Sequence, residues 1–73
     1  MSYSIPMYES ERGWGSKIDG YAGPFSTYEE AKVFQTAYNL KYNNKSVVPD
    51  YYIAAMDPVE TTPGMKHDYR STV

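Results

Sequence analysis

One segment of the chain, residues 28 to 43, places its apolar side chains at helical spacing and constrains the fold more than any other feature. Thr27 can cap the start of this helix while Glu30, three residues later, completes a capping box; Ser26 with Glu29 is the alternative register. At about 100° per residue, one face carries an apolar stripe made of Ala31, Phe34, Ala37, Tyr38 and Tyr42. The pattern therefore predicts a single helix that buries this stripe.

Residues 43 to 50 are expected to end the helix and turn the chain back. Asn43 and Asn44 can adopt the left-handed conformation that terminates many helices. Further along, Val47-Val48-Pro49-Asp50 is typical of a turn, because proline next to aspartate favours a reversal of the chain.

Three other segments have the pattern of strands. Residues 3 to 10 alternate with a period of two, although Pro6 cannot donate a ladder hydrogen bond and therefore indicates an edge, a bulge or a frayed start. A second strand is predicted over residues 16 to 21, broken by the glycine-rich stretch 20 to 24 that ends in Pro24. The third, residues 51 to 56, ends at Asp57-Pro58.

The order strand, strand, helix, strand predicts an α+β fold, a single ββαβ domain over residues 1 to 60. A right-handed crossover places the third strand beside the first, which gives a three-stranded antiparallel sheet of order 2-1-3 with one helix across one face. The other face and two sheet edges are expected to be open. Residues 61 to 73 lack periodicity and are predicted to form a flexible C-terminal tail.

Composition excludes several classes of protein. The chain has no cysteine, which rules out disulfides, thiol catalysis and cysteine-ligated zinc. Lys plus Arg number 7 against 9 Asp plus Glu, so the basic surplus of a duplex nucleic-acid binder is missing. Apolar runs are too short to cross a membrane, and the N-terminus lacks the pattern of a secretory signal. We therefore expect a cytoplasmic protein with neither duplex nucleic acid nor membrane as a partner.

No group of residues has the pattern of an active site. The one histidine, His67, neighbours Asp68 in the predicted tail, where nothing preorganises it as a base or metal ligand. Asp50 and Asp57 each adjoin a proline and are better explained as turn residues. The glycine-rich stretch before the helix lacks the lysine of a phosphate loop. The sequence predicts a protein that is not an enzyme and has no cofactor or metal.

The best candidate for function is the turn Arg12-Gly13-Trp14-Gly15. Trp and Arg are the residue types most enriched in interface hot spots, so Trp14 either anchors a partner or folds back onto the core. Arg12 could also pair with phosphate or stack on an aromatic ring. Together with Lys17 it supplies the charges that a bound nucleotide would need.

Tyrosines are a second candidate surface, since the chain contains nine of them. Tyr51 and Tyr52 must point to opposite faces of the third strand, so one of them faces away from the helix. Together with Tyr3 or Tyr8 it could form an aromatic floor on the open face. A bare sheet face of this kind would be relieved by self-association, so we expect a homo-oligomer that forms through the open face or through the edge of the third strand.

Several segments in one order resemble small accessory proteins encoded by tailed bacteriophages. The resemblance covers residues 7 to 59 and is carried by Gly13-Trp14-Gly15, by Phe25-Ser-Thr27 with Glu29-Glu30-Ala31 and Phe34, by Tyr38-Asn39 with Lys41, and by Val48-Pro49-Asp50-Tyr51-Tyr52 with Ala54. It implies a viral protein made in the cytoplasm of a bacterial host. Such proteins block host enzymes or defence systems, and some sequester nucleotide second messengers.

Two functional hypotheses follow. The first is a non-enzymatic inhibitor or adaptor that docks on a host bacterial protein through Trp14 and the open sheet. The alternative is a homo-oligomeric sponge that holds a nucleotide second messenger through aromatic stacking and the charges of Arg12 and Lys17. The candidate binding residues are Tyr8, Arg12, Trp14, Lys17, Tyr51 and Tyr52.

Overall fold

The computed structural model describes residues 1–43 and 50–69. Its elements are β1 (Tyr3–Glu11), β2 (Gly15–Phe25), α1 (Tyr28–Tyr42), β3 (Tyr51–Ala55) and β4 (Val59–Glu60). The sheet is antiparallel with order β2-β1-β3, and β4 pairs with β1 beyond the end of β3. The predicted α+β architecture, sheet order and helix across the sheet are confirmed, and β4 is an addition. Most of the predicted turn over 47 to 50 lies outside the described residues.

Helix α1 begins as its capping residues predict. The Thr27 hydroxyl accepts a hydrogen bond from the Glu30 amide at 3.1 Å, which selects the Thr27 register over the Ser26 register. The helix ends at Tyr42, and Asn43 has a φ of −121°, so the left-handed ending predicted there is wrong. Its backbone N–H instead donates to the Asn39 carbonyl at 2.8 Å. Asn44 lies outside the described residues.

The core lies between α1 and one face of the sheet. It consists of Ile5, Met7, Ala22, Phe25, Ala31, Phe34 and Ala55. The Phe25 and Phe34 rings meet at 5.3 Å between centroids. The buried face of the helix is narrower than the predicted stripe, because Ala37 and Tyr42 are exposed.

Strand β2 does not break at the glycine-rich stretch as predicted. It continues to Phe25, because a bulge adds one residue to β2. Ile5 pairs with Ala22 and Tyr3 pairs with Phe25, so β2 advances by three residues where β1 advances by two. Gly23, with a φ of +113°, supplies a conformation that other residues rarely adopt. The bulge therefore keeps the Phe25 side chain on the core face.

Pro6 lies in the central strand, so of the three alternatives the sheet edge is wrong, and register shifts lie on either side of the proline, between Tyr3 and Ile5 and between Met7 and Tyr8. The Pro6 carbonyl accepts a hydrogen bond from the Met56 amide at 3.0 Å. In a strand the N and O of one residue point to the same side, so the missing N–H of Pro6 faces Met56, the first residue past the end of β3. Pairing between β1 and β3 stops at Met7 and Ala55, so the proline lies where this ladder ends.

Residues 61–69, which we call the strap, pack against the sheet instead of leaving it as the predicted tail. The Thr61 amide donates to the Ser2 carbonyl at 2.9 Å, and the Ser4 hydroxyl lies 2.6 Å from the Thr61 hydroxyl and 2.8 Å from Nε2 of His67. Because Ser4 points away from the core, these contacts place the strap over the face opposite α1. Residues 70 to 73 of the predicted tail lie outside the described residues.

The strap then reaches the outer edge of β2. The Tyr21 amide donates to the Lys66 carbonyl at 2.9 Å, and the Tyr69 amide donates to the Tyr21 carbonyl at 3.2 Å. Ala22 and Tyr69 form a parallel bridge. This edge was predicted to be open, and the strap occupies it because its backbone supplies the missing ladder partners.

The outer edge of β3, also predicted to be open, is occupied by side chains of α1. Asn39 Nδ2 donates to the Ala55 carbonyl at 2.9 Å, and Asn39 Oδ1 accepts from the Ala55 amide at 3.0 Å. Asn43 Nδ2 donates to the Ile53 carbonyl at 3.1 Å. The Asn39 amide thus pairs with Ala55 as the backbone of a neighbouring strand would.

Candidate functional site

The hairpin between β1 and β2 is closed by a tight turn that ends in Trp14. The Trp14 amide donates to the Glu11 carbonyl at 3.0 Å, and Gly13 occupies the third position of this turn with a φ of +85°. A positive φ at that position is the requirement of a type II turn, and glycine meets it without strain. The turn therefore holds Trp14 at the tip of a two-stranded scaffold.

Trp14 is exposed over 84 % of its surface, so the alternative in which it folds back onto the core is wrong. It is the one tryptophan of the chain. Burying about 200 Å² of aromatic surface against a partner is worth about 5 kcal/mol before the costs of association. The exposed indole is therefore the strongest potential anchor that the hairpin offers.

Arg12 connects the hairpin to the start of β3. Its amide donates to the Asp50 carbonyl at 2.7 Å, and its Nε lies 3.4 Å from Asp50 Oδ1. Both side chains are 79 % exposed, so the ion pair adds little stability. The backbone bond aligns the hairpin with β3, and the Arg12 charge already has a carboxylate partner.

A shallow hollow beside Trp14 is lined by Glu9, Glu11, Gly15, Ser16 and Lys17. Lys17 Nζ lies 3.9 Å from Glu9 Oε1, and the Tyr51 hydroxyl donates to Glu9 Oε2 at 3.2 Å. The pKa of Tyr51 is raised. Partial desolvation makes the largest contribution, and the hydrogen bond to Glu9 makes the next largest. Two carboxylates against one ammonium group make the hollow unfavourable for phosphate.

The six predicted binding residues fall into two groups. Met7 and Ala55 pair on the core face, so the alternation of strand side chains puts Tyr8 and Tyr52 on the opposite face. Tyr51 and Lys17 lie on the same side of the sheet as α1. Lys17 lines the hollow beside Trp14, and Tyr51 pairs with Glu11 and is bonded to Glu9 of the same hollow. We call the group of Arg12, Trp14, Lys17 and Tyr51 the Trp14 tip.

The aromatic floor on the open face contains Tyr8 and Tyr52, without Tyr3. Tyr3 lies on the side of α1, edge-on to Tyr28 at 5.8 Å between ring centroids. Tyr8 pairs with Ile18 on one side and with Ala54 on the other, and Ile18 is 47 % exposed. We call the set of Tyr8, Ile18, Tyr52 and Ala54 the open-face patch.

Sequence reasoning missed the contact between Ser4 and His67. A serine hydroxyl 2.8 Å from a histidine nitrogen is the geometry of a nucleophile and its base. Ser4 has no exposed surface, however, so no substrate can reach its hydroxyl. The pair therefore holds the strap in place, and no local pattern could reveal a contact across 63 residues.

Sequence reasoning also missed Glu9, whose carboxylate contacts both Lys17 and Tyr51. The signal for it was present, because a three-residue turn over 12 to 14 places Glu9 opposite Lys17 in the hairpin. Cross-strand pairs of opposite charge stabilise hairpins modestly.

Within residues 1–43 and 50–69, no three His, Asp or Glu side chains come together in a set that could bind a metal ion. The helix found in those residues is neither long nor apolar enough to pass through a bilayer.

Comparison of the chain with protein-family models, with curated proteins and with solved structures gave no match.

Proposed function

We propose that this chain is a non-enzymatic binding protein that docks on another protein through the Trp14 tip. The observation that carries the proposal is the tryptophan itself, 84 % exposed at the end of a turn built on Gly13 and Gly15. An exposed indole beside an arginine has the composition of an interface hot spot. Because the turn is preformed, little entropy is lost when it binds.

The charges around the tip favour a protein over a nucleotide as the partner. Arg12 and Lys17 are the cations that a nucleotide would need, and each lies beside a carboxylate, Asp50 and Glu9 respectively. Glu11 adds a further negative charge to the same hollow. A phosphate would have to compete with these carboxylates, which weakens the alternative of a nucleotide sponge.

The resemblance to phage accessory proteins supports a host bacterial protein as the partner. On this proposal the chain is made in the host cytoplasm and inhibits or redirects that protein, with enzymes of bacterial defence systems among the candidates. A compact anchor on a small scaffold suits inhibition by steric block.

The test compares wild type with Trp14→Ala and with a matched control, Val33→Ala. Val33 is 70 % exposed on α1, so its truncation also removes exposed apolar surface, but away from the tip. The partner is first captured from bacterial lysate and identified, and binding to the purified partner is then measured by calorimetry. Trp14→Ala should weaken binding at least about thirtyfold, corresponding to about 2 kcal/mol, while Val33→Ala should bind as wild type does.

Two results would count against the proposal. Unchanged affinity in a Trp14→Ala variant whose circular dichroism matches wild type would remove the tip from the interface. Purified protein that carries a nucleotide, seen as excess absorbance at 260 nm, would favour the sponge instead.

A further inference from the structure

We propose that a second copy of this chain binds the open-face patch, giving a reversible two-fold dimer in which two sheets pack face to face. This proposal is independent of the Trp14 tip, which lies at the hairpin end of the molecule. The strap contacts one half of the open face, where it bonds to Ser4 and where His67 lies against the Tyr21 ring. The proposal concerns the other half.

The structure disfavours association through the strand edges. The Ala55 amide and carbonyl at the β3 edge are already bonded to the Asn39 side chain. At the β2 edge, the amide and carbonyl of Tyr21 are bonded to the strap. An added strand would first have to break these hydrogen bonds, whereas a face-to-face contact breaks none.

The shape of the open-face patch suits contact with itself. Large Tyr8 and Tyr52 side chains alternate with small ones, because Ala54 pairs with Tyr8, and Ser10 pairs with both Tyr52 and Ser16. A two-fold contact between identical surfaces can place the rings of one copy over the small residues of the other. Such interdigitation is how paired sheets pack at about 10 Å separation.

The charge of the patch also favours a second copy. None of its side chains is charged at neutral pH, so identical copies meet without repulsion at the contact. The net charge of −2 on each chain costs less than about 1 kcal/mol at a separation of about 20 Å in water, and salt screens it further. A partner of different charge would gain no ion pair from this patch.

The size of the patch sets the expected strength of the dimer. Three strands and about two rows of side chains cover a footprint of roughly 200 Å². A tight interface needs about 800 Å² from each partner, so this contact belongs to the weak class. We expect dissociation constants from micromolar to millimolar, so that monomer and dimer coexist in solution.

The test is sedimentation equilibrium of the full chain from about 10 µM to about 1 mM, the range in which a weak dimer forms. The average mass should rise with concentration from 8.3 kDa towards twice that value. Ile18→Lys and Tyr52→Lys should each weaken the dimer at least about tenfold, because burying an unpaired ammonium group is costly. Val33→Lys is the matched control on α1 and should associate as wild type does.

Ile18→Lys, Tyr52→Lys and Val33→Lys each add one positive charge. If only the two open-face variants associate more weakly than wild type, the contact lies on the open face and not on α1. Circular dichroism establishes that each variant is folded. If Ile18→Lys does not fold, Tyr52→Lys alone tests the contact. A mass of 8.3 kDa at all concentrations would overturn the proposal. Loss of association in Val33→Lys, with the open-face variants still dimeric, would overturn it as well. Trp14→Ala should remain dimeric, which separates this surface from the proposed binding function.

Discussion

Residues Val33 and Phe34 are neighbours in α1 with opposite surroundings. Phe34 is 5 % exposed and contacts Phe25 and Tyr38, with ring centroids at 5.3 and 5.8 Å. Val33 is 70 % exposed on the outer side of the helix. The helical period therefore decides which of two adjacent apolar residues stabilises the fold.

Phe34→Ala should lower the free energy of unfolding by about 3–5 kcal/mol, because it removes a buried ring and leaves a cavity. Urea denaturation measures this loss directly. Val33→Ala is the control and should change stability by no more than about 0.5 kcal/mol. A loss below about 1 kcal/mol for Phe34→Ala would show that the core is centred elsewhere.

Helix α1 both covers one face of the sheet and occupies the outer edge of β3. The Asn39 side chain forms two hydrogen bonds with Ala55, and Asn43 and Gln35 donate to carbonyls of the same strand. Polar side chains at these helix positions would be expected to face water. They face the sheet edge instead, and so they protect β3 from pairing with another chain.

Asn39→Ala should leave the Ala55 amide without a partner and lower stability by about 1–3 kcal/mol, while the Ala55 carbonyl keeps its hydrogen bond from Gln35 Nε2. Hydrogen exchange followed by NMR tests this residue by residue. The Ala55 amide should exchange faster in the variant. The Met56 amide, which donates to the Pro6 carbonyl, serves as an internal control. Equal acceleration of both amides would indicate general destabilisation and contradict a local role for Asn39.

The elements that the sequence predicted correctly are those whose signals are local. Thr27 with Glu30 predicted the helix start, and the order of the extended segments predicted the sheet. The continuation of β2 past Gly20 depends on a bulge opposite β1, which no single strand pattern reveals. The strap depends on contacts such as the one between Ser4 and His67, separated by 63 residues.

In the candidate site, too, the features with a local sequence signal were predicted and those that depend on strand pairing were not. The Trp14 turn was visible because Gly13 and Gly15 bracket the tryptophan. The separation of the tyrosines into two surfaces required the register, because a shift of one residue moves a side chain to the other face. Exposure of Trp14 could not be predicted either, since a hairpin tip can fold onto either face of its sheet.

The strap makes a third layer beside the sheet and α1. Its last described residue, Tyr69, packs against the edge of the core, and its hydroxyl donates to Asp19 Oδ2 at 2.7 Å. The pKa of Tyr69 lies well above its ordinary value. Burial makes the largest contribution, and the hydrogen bond to Asp19 and the negative charge of Asp19 add to it. Burial, with smaller contributions from Tyr42 and Asp19, also raises the pKa of Tyr38.

These shifts predict that the molecule loses stability at alkaline pH. A tyrosine of the unfolded chain ionises near pH 10, whereas folded Tyr69 stays protonated above that pH. The unfolded state then binds fewer protons than the folded state, so the free energy of unfolding is unaffected below about pH 10 and falls as pH rises beyond it. Urea denaturation between about pH 8 and pH 11 should show this decline in wild type.

Tyr69→Phe should make that decline shallower, because it removes one of the groups whose ionisation favours unfolding. Asp19→Asn should act in the same direction, since it removes the charge that opposes ionisation of Tyr69. Tyr69→Phe loses the hydrogen bond between the two side chains, whereas Asp19→Asn keeps an amide oxygen that can accept from the Tyr69 hydroxyl and loses only the charge. Tyr69→Phe should therefore also be somewhat less stable at pH 8, and the pH slope must be compared separately from that offset. Equal slopes in wild type and Tyr69→Phe would show that the strap contact at Asp19 does not contribute to alkaline unfolding.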